Sequence, residues 1–257
     1  MTNDTESKLI KLNKEFYDKI GKHWNNKPDY FWAGWDKLLP YIKSKIESCE
    51  SVSILDLGCG NGRFAAYLNT YFPDAKISYT GTDYAFDDKI KVSYGDNIKV
   101  KFVSQDLLQE TWLFQENTFD IIVAFGLIHH IPGIRLTNVF LDNIQKYLDK
   151  NGLCVITTWQ YMRLERLQKR IMTGIEKQEI QSKMAISESE FRPGDNFLDW
   201  VKGNSGVRFS HYFTELEMVN LLADHNLKSV ETYLADDREQ NRNQYFVIKK
   251  SVKNISI

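Results

Sequence analysis

The stretch ILDLGCGNGR, residues 54–63, decides the fold, because an apolar run there ends in three glycines at alternate positions. Residues 52–57 predict a buried strand, and the glycines that follow let the backbone turn sharply and a ligand approach closely. The G-x-G-x-G spacing of residues 58–62 differs from the G-x-G-x-x-G spacing typical of dinucleotide-binding loops. Asp56, just before the glycines, suits an ammonium group better than a phosphate. The stretch therefore predicts a ligand-binding turn that does not favour a pyrophosphate.

Two acidic residues follow at the predicted ends of the next two strands. Asp83 ends the second strand, where a carboxylate can accept both hydrogen bonds of a ribose diol. Asp106 ends the third strand and can accept from an adenine amino group, with Leu107 packed on the ring. Ordinary loop aspartates beside a glycine turn are the alternative. An acid at the end of each of two successive strands favours an adenosine-type site.

Strands and helices alternate from residue 52 onward, which predicts an α/β, Rossmann-like sheet of mainly parallel strands with helical crossovers. The predicted strands are 52–57, 77–82, 99–104, 119–125, 153–159, 229–234 and 244–249, and the predicted helices are 8–22, 35–46, 62–72, 136–149 and 214–225.

We interpret the whole chain as a single domain, 1–257, with a helical N-terminal cap. A polar, helix-prone insertion interrupts the alternation after the fifth strand and would emerge at the carboxyl ends of the strands, where ligands bind. The predicted parts are a cap (1–50), a cofactor-binding core (51–160), the insertion (161–213), a C-terminal helix with the last two strands (214–250) and a tail (251–257).

Composition limits the classes of function. The chain has 33 basic and 34 acidic residues and a net charge of −1, so it is not a strongly basic nucleic-acid binder, although a local basic patch stays open. Three cysteines without a CxxC pair indicate a reducing compartment and no zinc site. No apolar run approaches the ~20 residues that span a bilayer. We expect a cytoplasmic protein without metal or membrane contact.

The core motifs resemble those of class I S-adenosylmethionine-dependent methyltransferases of the "type 11" kind, over about residues 35–160. The resemblance is carried by residues 54–64, Asp83, Asp106 and the stretch FDIIVAFGLIHH at 119–130. It implies a seven-stranded sheet with helices on both faces and an antiparallel last strand. It also implies the cofactor S-adenosyl-L-methionine, bound at its methionine end by Asp56 and the glycines, at its ribose by Asp83 and at its adenine by Asp106 and Leu107. The predicted cofactor-binding set is Asp56, Gly58, Gly60, Gly62, Asp83, Tyr84, Asp106, Leu107 and Phe125.

The insertion resembles that of tRNA wobble-uridine methyltransferases, which esterify 5-carboxymethyluridine. Residues 208–215 (RFSHYFTE) resemble their arginine–aromatic–aromatic–His–x–Phe–Thr segment, with Ser210 at the second aromatic position, and residues 17–24 resemble their N-terminal stretch. The chain departs from their pattern at Asp199 and Gln244, which replace a proline and a tryptophan, and it lacks an arginine near Lys27-Pro28. The resemblance implies a tRNA acceptor. Eukaryotic relatives of that group work with a small zinc-containing activator subunit, and the sequence leaves open whether this chain has such a partner.

The chemistry of the acceptor leaves two roles open for the remaining candidates. A carboxylate is already ionised at neutral pH and needs alignment and anion recognition, for which Arg63, Arg192 and Arg208 are suited. A hydroxyl or amine acceptor needs a base, and His129 or His130 would supply it. The candidate catalytic residues are His129, His130 and Arg208, and the candidate substrate-binding residues are Arg63, Trp32, Arg192 and His211.

Structural roles compete with several of these assignments. Adjacent histidines normally project in different directions, so one of the pair at 129–130 is expected to be structural. His211 and Arg208 can anchor the return of the insertion, and the aromatic residues at 24–35 can form a lid over adenosine. The basic run at 163–183 is partly offset by glutamates and reads as a solvated helix face.

Two catalytic hypotheses and one non-catalytic hypothesis follow. Methylation of tRNA wobble uridine rests on the 208–215 segment, whereas methylation of a small metabolite, such as a quinone precursor or natural product, is favoured by the near-neutral charge. A non-catalytic cofactor-binding protein is disfavoured because Asp56, Asp83 and Asp106 are all present.

Overall fold

A computed structural model of the chain describes residues 1–25, 31–83, 97–199 and 206–251. The predicted Tyr84 contact and the predicted tail after Ser251 lie outside these residues. The helices are α1 (Asn3–Asn25), α2 (Leu39–Ser48), α3 (Arg63–Tyr71), α4 (Ile134–Tyr147), α5 (Glu165–Gln168), α6 (Gly174–Met184) and α7 (Glu215–Asp224). The strands are β1 (Val52–Leu57), β2 (Ile77–Thr82), β3 (Ile98–Val103), β4 (Phe119–Ala124), β5 (Leu148–Trp159), β6 (Asp195–Asp199), β7 (Val207–His211), β8 (Leu227–Ala235) and β9 (Asn243–Lys250). Short 3₁₀ turns lie at Ala33–Leu38, Ile128–His130, Tyr161–Arg163 and Glu188–Glu190.

Seven strands form one sheet in the order β3-β2-β1-β4-β5-β9-β8. The pairings from β3 to β5 are parallel, and β9 lies antiparallel between β5 and β8. The chain order reverses between β1 and β4, and ligands of open α/β sheets bind beyond the carboxyl ends of the strands at such a point. The predicted Rossmann-like sheet with an antiparallel last strand is confirmed.

Apolar side chains are buried on both faces of the sheet, because parallel strands covered by helices on each side have no solvent-facing surface. On one face, Phe140 and Ile144 of α4 and Leu222 of α7 pack against the strands. On the other face, Ile42 of α2 and Leu68 of α3 do so. Helices therefore cover both faces, as predicted.

The N-terminal helix is longer than the predicted 8–22, since α1 begins at Asn3. Asp4 and Glu6 lie in its first turn, where carboxylates stabilise the positive end of the helix dipole. Leu9 is fully buried in a small apolar cluster with Phe197 and Phe209, which belong to the insertion. The cap is thus attached to the insertion rather than to the sheet alone.

The insertion contains an antiparallel strand pair that the sequence did not predict. The prediction was a polar, helix-prone segment; α5 and α6 agree with it, but β6 and β7 pair from Asp195↔His211 to Asp199↔Val207. The sequence DNFLD alternates too briefly to reveal a strand, yet Phe197 and Leu198 are both fully buried. The residues that join β6 to β7, 200–205, are outside the described part of the chain.

Among the described residues, no helix has the length and apolar character needed to cross a membrane. The same residues include no group of three histidine, cysteine, aspartate or glutamate side chains placed to hold a metal ion.

Candidate cofactor and acceptor site

The glycine-rich turn joins β1 to α3 in a conformation that only glycine adopts freely. Gly58, Gly60 and Gly62 all have positive φ, at +71°, +55° and +74°. The turn is fixed to the neighbouring strand, because the N–H groups of Gly58 and Cys59 both donate to the carbonyl of Thr82, at 2.8 and 3.0 Å. The backbone of the turn is therefore held in place by the end of β2.

Gly60 lies where an added side chain would meet open space. A Cβ built there has no atom of the described chain within 4 Å. The N–H of Gly60 donates to Oδ2 of Asp83 at 2.9 Å, so the acid at the end of β2 is held beside the glycine turn. The turn and the predicted ribose-binding carboxylate thus form one site, with room for a ligand above the turn.

Asp56 is a carboxylate buried inside this site, with 3% of its surface exposed. Its Oδ2 accepts a hydrogen bond from the Tyr79 hydroxyl of β2. The pKa of Asp56 is raised to about 7, chiefly by burial; the Tyr79 hydrogen bond and Arg63 oppose the rise, and the charge of Asp83 adds to it. An ammonium group placed nearby would relieve the cost of the buried charge. The site therefore favours a cationic ligand group.

Asp106 and Leu107 follow β3 at the same edge of the sheet. Oδ1 of Asp106 accepts from the N–H of Leu108 at 3.0 Å, which fixes the turn, and the Asp106 side chain is exposed. Leu107 is partly buried against the apolar core. The structure places both residues where the sequence predicted, at the carboxyl end of the third strand.

An aromatic wall stands at the end of β4. Trp32 stacks on Trp35 with ring centroids 5.7 Å apart, and Phe125 lies 5.4 Å from Trp35. Gly126 lies beneath Trp32, since a Cβ there would be 3.4 Å from the indole. Phe125 and Trp32, predicted separately as cofactor and substrate residues, therefore belong to one aromatic group, as a lid over adenosine requires.

The adjacent histidines at the end of β4 have different surroundings. His129 is 4% exposed, and its Nδ1 is buried without a hydrogen-bond partner among the described residues. Burial, followed by the charges of His130, Arg208, Arg242 and His211, holds the pKa of His129 well below its usual value. The ring is thus neutral and has hydrogen-bonding capacity that the described protein leaves unused.

His130 is bonded on both ring nitrogens. Nδ1 lies 3.1 Å from the carbonyl of Phe209, which can only accept, so Nδ1 carries the proton. Nε2 then accepts from the Tyr17 hydroxyl at 2.6 Å. Burial and the charge of Arg208 lower the pKa of His130 to about 3 despite the Phe209 hydrogen bond. Of the two histidines, the contacts of His130 are those of a structural residue, and His129 is the stronger catalytic candidate.

Arg208 of β7 reaches the same region. It is 5% exposed, with its guanidinium 4.5 Å from the ring centroid of Trp159 and 5.0 Å from that of Phe16. Its Nη1 donates to the Tyr17 hydroxyl at 3.3 Å. The structure therefore brings together the three predicted catalytic residues, because His129 also packs on Trp159, at 5.9 Å.

The predicted substrate residues Arg192 and His211 make an ion network at the base of the insertion. His211 is 1% exposed and lies between Asp195, at 2.7 Å from Nδ1, and Glu217, at 2.9 Å from Nε2. Arg192 donates to the same Glu217 oxygen at 3.0 Å. These contacts are those of residues that anchor the insertion to α7. Substrate binding by Arg192 or His211 stays a prediction.

Sequence reasoning did not single out Tyr17, Tyr79 or Trp159 as site residues. Tyr79 lies in β2, whose sequence ISYTGT carries several other hydroxyls, so the local sequence gave no signal that its partner is a buried carboxylate. Trp159 ends the fifth strand, so its position in the sheet pointed to the site. Tyr17 lies on a helix far away in sequence, and nothing in the helical pattern showed which element it would face.

The comparisons with known proteins agree with this geometry. A family model described as a methyltransferase domain matches residues 23–232. The chain belongs to this methyltransferase family. The ubiquinone biosynthesis O-methyltransferase of Rickettsia prowazekii (strain Madrid E) is 25% identical over 239 residues, which cover 88% of this chain and 81% of that protein. The malonyl-acyl-carrier-protein O-methyltransferase of Bacillus cereus is 24% identical over 170 residues, covering 66% of this chain and 60% of that protein.

Solved structures share the fold of this methyltransferase. The 1,6-didemethyltoxoflavin-N1-methyltransferase of Burkholderia thailandensis, solved with S-adenosylhomocysteine, aligns with a TM-score of 0.63 at 15% identity and covers 98% of this chain and 92% of that one. The chain is an S-adenosylmethionine-dependent methyltransferase, so the predicted class, enzyme type and cofactor are confirmed. The finer prediction of the tRNA wobble-uridine group is not confirmed by these relatives, which are O-methyltransferases.

Proposed function

We propose that this methyltransferase transfers a methyl group to an oxygen atom of a small-molecule acceptor. The observation that carries the proposal is the neutral, buried imidazole of His129, whose Nδ1 has no partner among the described residues, at the carboxyl end of β4. The O-methyltransferase names of the relatives support it.

The residues present fit the cofactor. Asp56 and the open backbone at Gly60 suit the ammonium-bearing methionine end, Asp83 suits the ribose, and Asp106 with Leu107 suits the adenine. When bound, S-adenosyl-L-methionine supplies an electrophilic methyl group on a sulfonium centre. The acidic side chains lie toward this end of the site, where they favour a cation.

Positively charged side chains lie near His129, at the end of the site proposed for the methyl acceptor. Arg208 and Arg242 both lower the pKa of His129, so they exert a positive potential there. A positive potential stabilises an acceptor oxygen as it loses its proton. The unprotonated ring nitrogen of His129 takes that proton. Because the lowered pKa of His129 makes it a weak base, the positive charge of Arg208 also has to favour ionisation of the acceptor hydroxyl. A hydroxyl acceptor therefore has both a base and a stabilising charge.

The charges of the insertion favour a small acceptor over a tRNA backbone. Lys169 pairs with Glu165 and Lys177 with Glu188, each at 2.7 Å, and Arg166 pairs with Asp237. To bind a tRNA backbone, lysine and arginine side chains must be available to replace the counterions around its phosphates. Within the described part of the insertion these cations already have carboxylate partners, so the 208–215 resemblance is the main support that remains for tRNA.

The acceptor class is tested with purified enzyme and methyl-labelled cofactor. We expect label in small phenolic or hydroxylated acids from a metabolite extract of cells that lack the gene, and none in their tRNA. Mass spectrometry of tRNA nucleosides from the same cells forms the second arm. A loss of wobble-uridine esters, with metabolites unchanged, would replace the proposal with tRNA methylation.

A His129→Asn variant is the chemical control in the same assay. For a hydroxyl acceptor, loss of the base lowers kcat by roughly 10²-fold or more. If His129→Asn leaves kcat unchanged on the identified acceptor, the role of His129 as a base is wrong.

A further inference from the structure

Tyr17 of α1 lies where three segments distant in sequence meet. Its hydroxyl is 2.6 Å from Nε2 of His130, at the end of β4, and 3.3 Å from Nη1 of Arg208, on β7 of the insertion. The Tyr17 ring also packs edge-on against His130, with centroids 5.3 Å apart. One hydroxyl thus connects the cap, the core and the insertion next to His129.

The directions of these hydrogen bonds are fixed by the chemistry of the groups. A guanidinium only donates, so Arg208 donates to the Tyr17 oxygen. His130 already donates from Nδ1 to the Phe209 carbonyl, so its Nε2 accepts the Tyr17 proton. The three hydrogen bonds form a chain in which each group donates to the next. Arg208 donates to Tyr17, Tyr17 donates to His130, and His130 donates to the Phe209 carbonyl of β7. This arrangement holds the Arg208 guanidinium and one His130 tautomer at the same time.

Attachment of α1 does not depend on this hydroxyl. Asn13, also on α1, connects the end of β4 with β7 without Tyr17. Its Nδ2 donates to the His130 carbonyl at 3.1 Å, and its Oδ1 accepts from the Phe209 N–H at 2.8 Å. Leu9 and Phe16 are buried and supply the apolar contact. A phenylalanine at position 17 would keep the ring packing without a polar group to bury. The hydroxyl is therefore explained by orientation of its partners rather than by docking of the helix.

We propose that Tyr17 is a positioning residue of the methyl-acceptor site, which holds the Arg208 guanidinium and the neutral His130 ring so that an acceptor oxygen meets the charge of Arg208 beside His129. The proposal rests on the proposed function. Arg208 also lies against Trp159 and Phe16, so two aromatic rings and the Tyr17 hydroxyl together hold the guanidinium.

The test compares Tyr17→Phe with Tyr161→Phe. Tyr161 is also a buried tyrosine, and its hydroxyl donates to the backbone of the insertion, at Gly194 and Ser210, so its loss controls for removal of a buried hydroxyl. We expect Tyr17→Phe to lower kcat/KM for the acceptor about tenfold, as loss of a hydrogen bond to a charged group does. The Kd for S-adenosylmethionine should stay within twofold, and Tyr161→Phe should change kcat/KM less than twofold.

A double-mutant cycle with Arg208→Lys separates positioning from stability. Lysine keeps the charge but not the geometry of the guanidinium. We expect Tyr17→Phe to add less than a twofold loss of kcat/KM in the Arg208→Lys background, because the two changes remove the same arrangement. A loss that is equally large in both backgrounds, or that Tyr161→Phe matches, overturns the proposal.

Nuclear magnetic resonance of ¹⁵N-labelled histidines supplies a readout that needs no acceptor. In the wild type, His130 should show a neutral ring protonated on Nδ1, and Tyr17→Phe should shift the Nε2 resonance. An unchanged Nε2 resonance contradicts the inference whatever the acceptor is. A shifted resonance together with an absence of small-molecule methylation would instead reject the proposed function and leave the link between Tyr17 and His130 supported.

Discussion

Gly60 and Gly174 have nearly the same φ, +55° and +54°, and an added Cβ meets no atom of the described chain within 4 Å at either position. Alanine at either site should therefore cost a similar ~1 kcal/mol of stability, since left-handed backbone is unfavourable for any residue with a Cβ. Only Gly60 lies in the predicted cofactor site. We expect Gly60→Ala to weaken S-adenosylmethionine binding at least tenfold and Gly174→Ala to leave it within twofold, measured by calorimetry.

Equal affinities for the two variants would show that the space above Gly60 is not where the cofactor binds. Unfolding of both variants in urea supplies the control. Because Gly60 and Gly174 have nearly the same positive φ, we expect similar losses in the free energy of unfolding.

At the level of single residues, the sequence predicted that Asp56 and Asp83 lie together beside the glycine turn, and the structure places them there, whereas their roles toward the cofactor stay predictions. Asp56 and Asp83 were predictable because a strand followed by glycines places the next acids at one edge of the sheet. His129 and His130 were predicted as a pair, but their different roles were not, since the partners of His130 are Tyr17 and the Phe209 carbonyl. Those partners come from an N-terminal helix and a strand that the local sequence did not reveal.

At the scale of secondary-structure elements, the stability of the junction between β7 and α7 depends on pH. Burial alone lowers the pKa of His211, but the hydrogen bonds to Asp195 and Glu217 outweigh burial and the pKa is raised. A raised pKa in the folded state means that this stabilisation is fully present below the unfolded value of about 6.5 and is lost as pH rises through the folded value. The pKa of Glu217 is lowered, with burial opposing the effect of His211, so its contribution is lost only as pH falls below its unfolded value.

We therefore expect His211→Gln to lower the free energy of unfolding by about 2–4 kcal/mol near pH 5.5, with a smaller deficit near pH 8.5. Urea unfolding of the wild type and the variant at both pH values measures the difference. His225→Gln controls for loss of a hydrogen-bonded histidine, because His225 pairs with a mostly exposed carboxylate, Asp142. A deficit of equal size at both pH values would show that folding does not raise the pKa of His211.

Elements with strong periodicity were predicted nearly to the residue, and those defined by tertiary contact were not. Strands β1 and β2 match their predicted bounds because each is a short segment rich in β-branched, aromatic or apolar residues next to turn residues. The β6–β7 pair was missed because its burial comes from contact with α1, where Leu9 meets Phe197 and Phe209. A strand stabilised by a helix nearly 190 residues earlier leaves little local signal.

At the scale of the whole molecule, the segment before α2 is joined to the far edge of the sheet. The Gly34 N–H donates to Asp236 at 2.9 Å, the Tyr233 hydroxyl donates to the Gly34 carbonyl at 2.8 Å, and a Cβ at Gly34 would lie 2.4 Å from the Tyr245 ring. Tyr245 is fully buried in β9 and cannot move aside cheaply. Gly34→Ala should therefore cost about 1–3 kcal/mol through overpacking, measured by denaturant unfolding.

The same variant should weaken S-adenosylmethionine binding, because Trp32 and Trp35 flank Gly34 and pack on Phe125. Calorimetry at a temperature where the variant is folded measures this effect. An unchanged affinity would show that the aromatic wall is independent of the Gly34 anchor.

The alternation of strands and helices predicted the overall fold, but it did not identify the methyl acceptor. The order of the strands obeys general rules of chain connection, so a strand-and-helix pattern restricts the topology strongly. The side chains of the proposed acceptor site, Tyr17, His129 and Arg208, become neighbours only after α1 and the insertion pack together.

The position of β9 inside the sheet has a consequence for synthesis of the protein. β5 ends at Trp159, and its antiparallel neighbour begins at Asn243, which is 243 − 159 = 84 residues later. At roughly 5–20 residues per second, the ribosome needs about 4 to 17 seconds to produce that interval. During this time the nascent chain carries a long apolar strand with an open edge, which invites aggregation. Completion of the sheet thus awaits synthesis of β9, and we expect termination before Asn243 to yield a product that depends on chaperones.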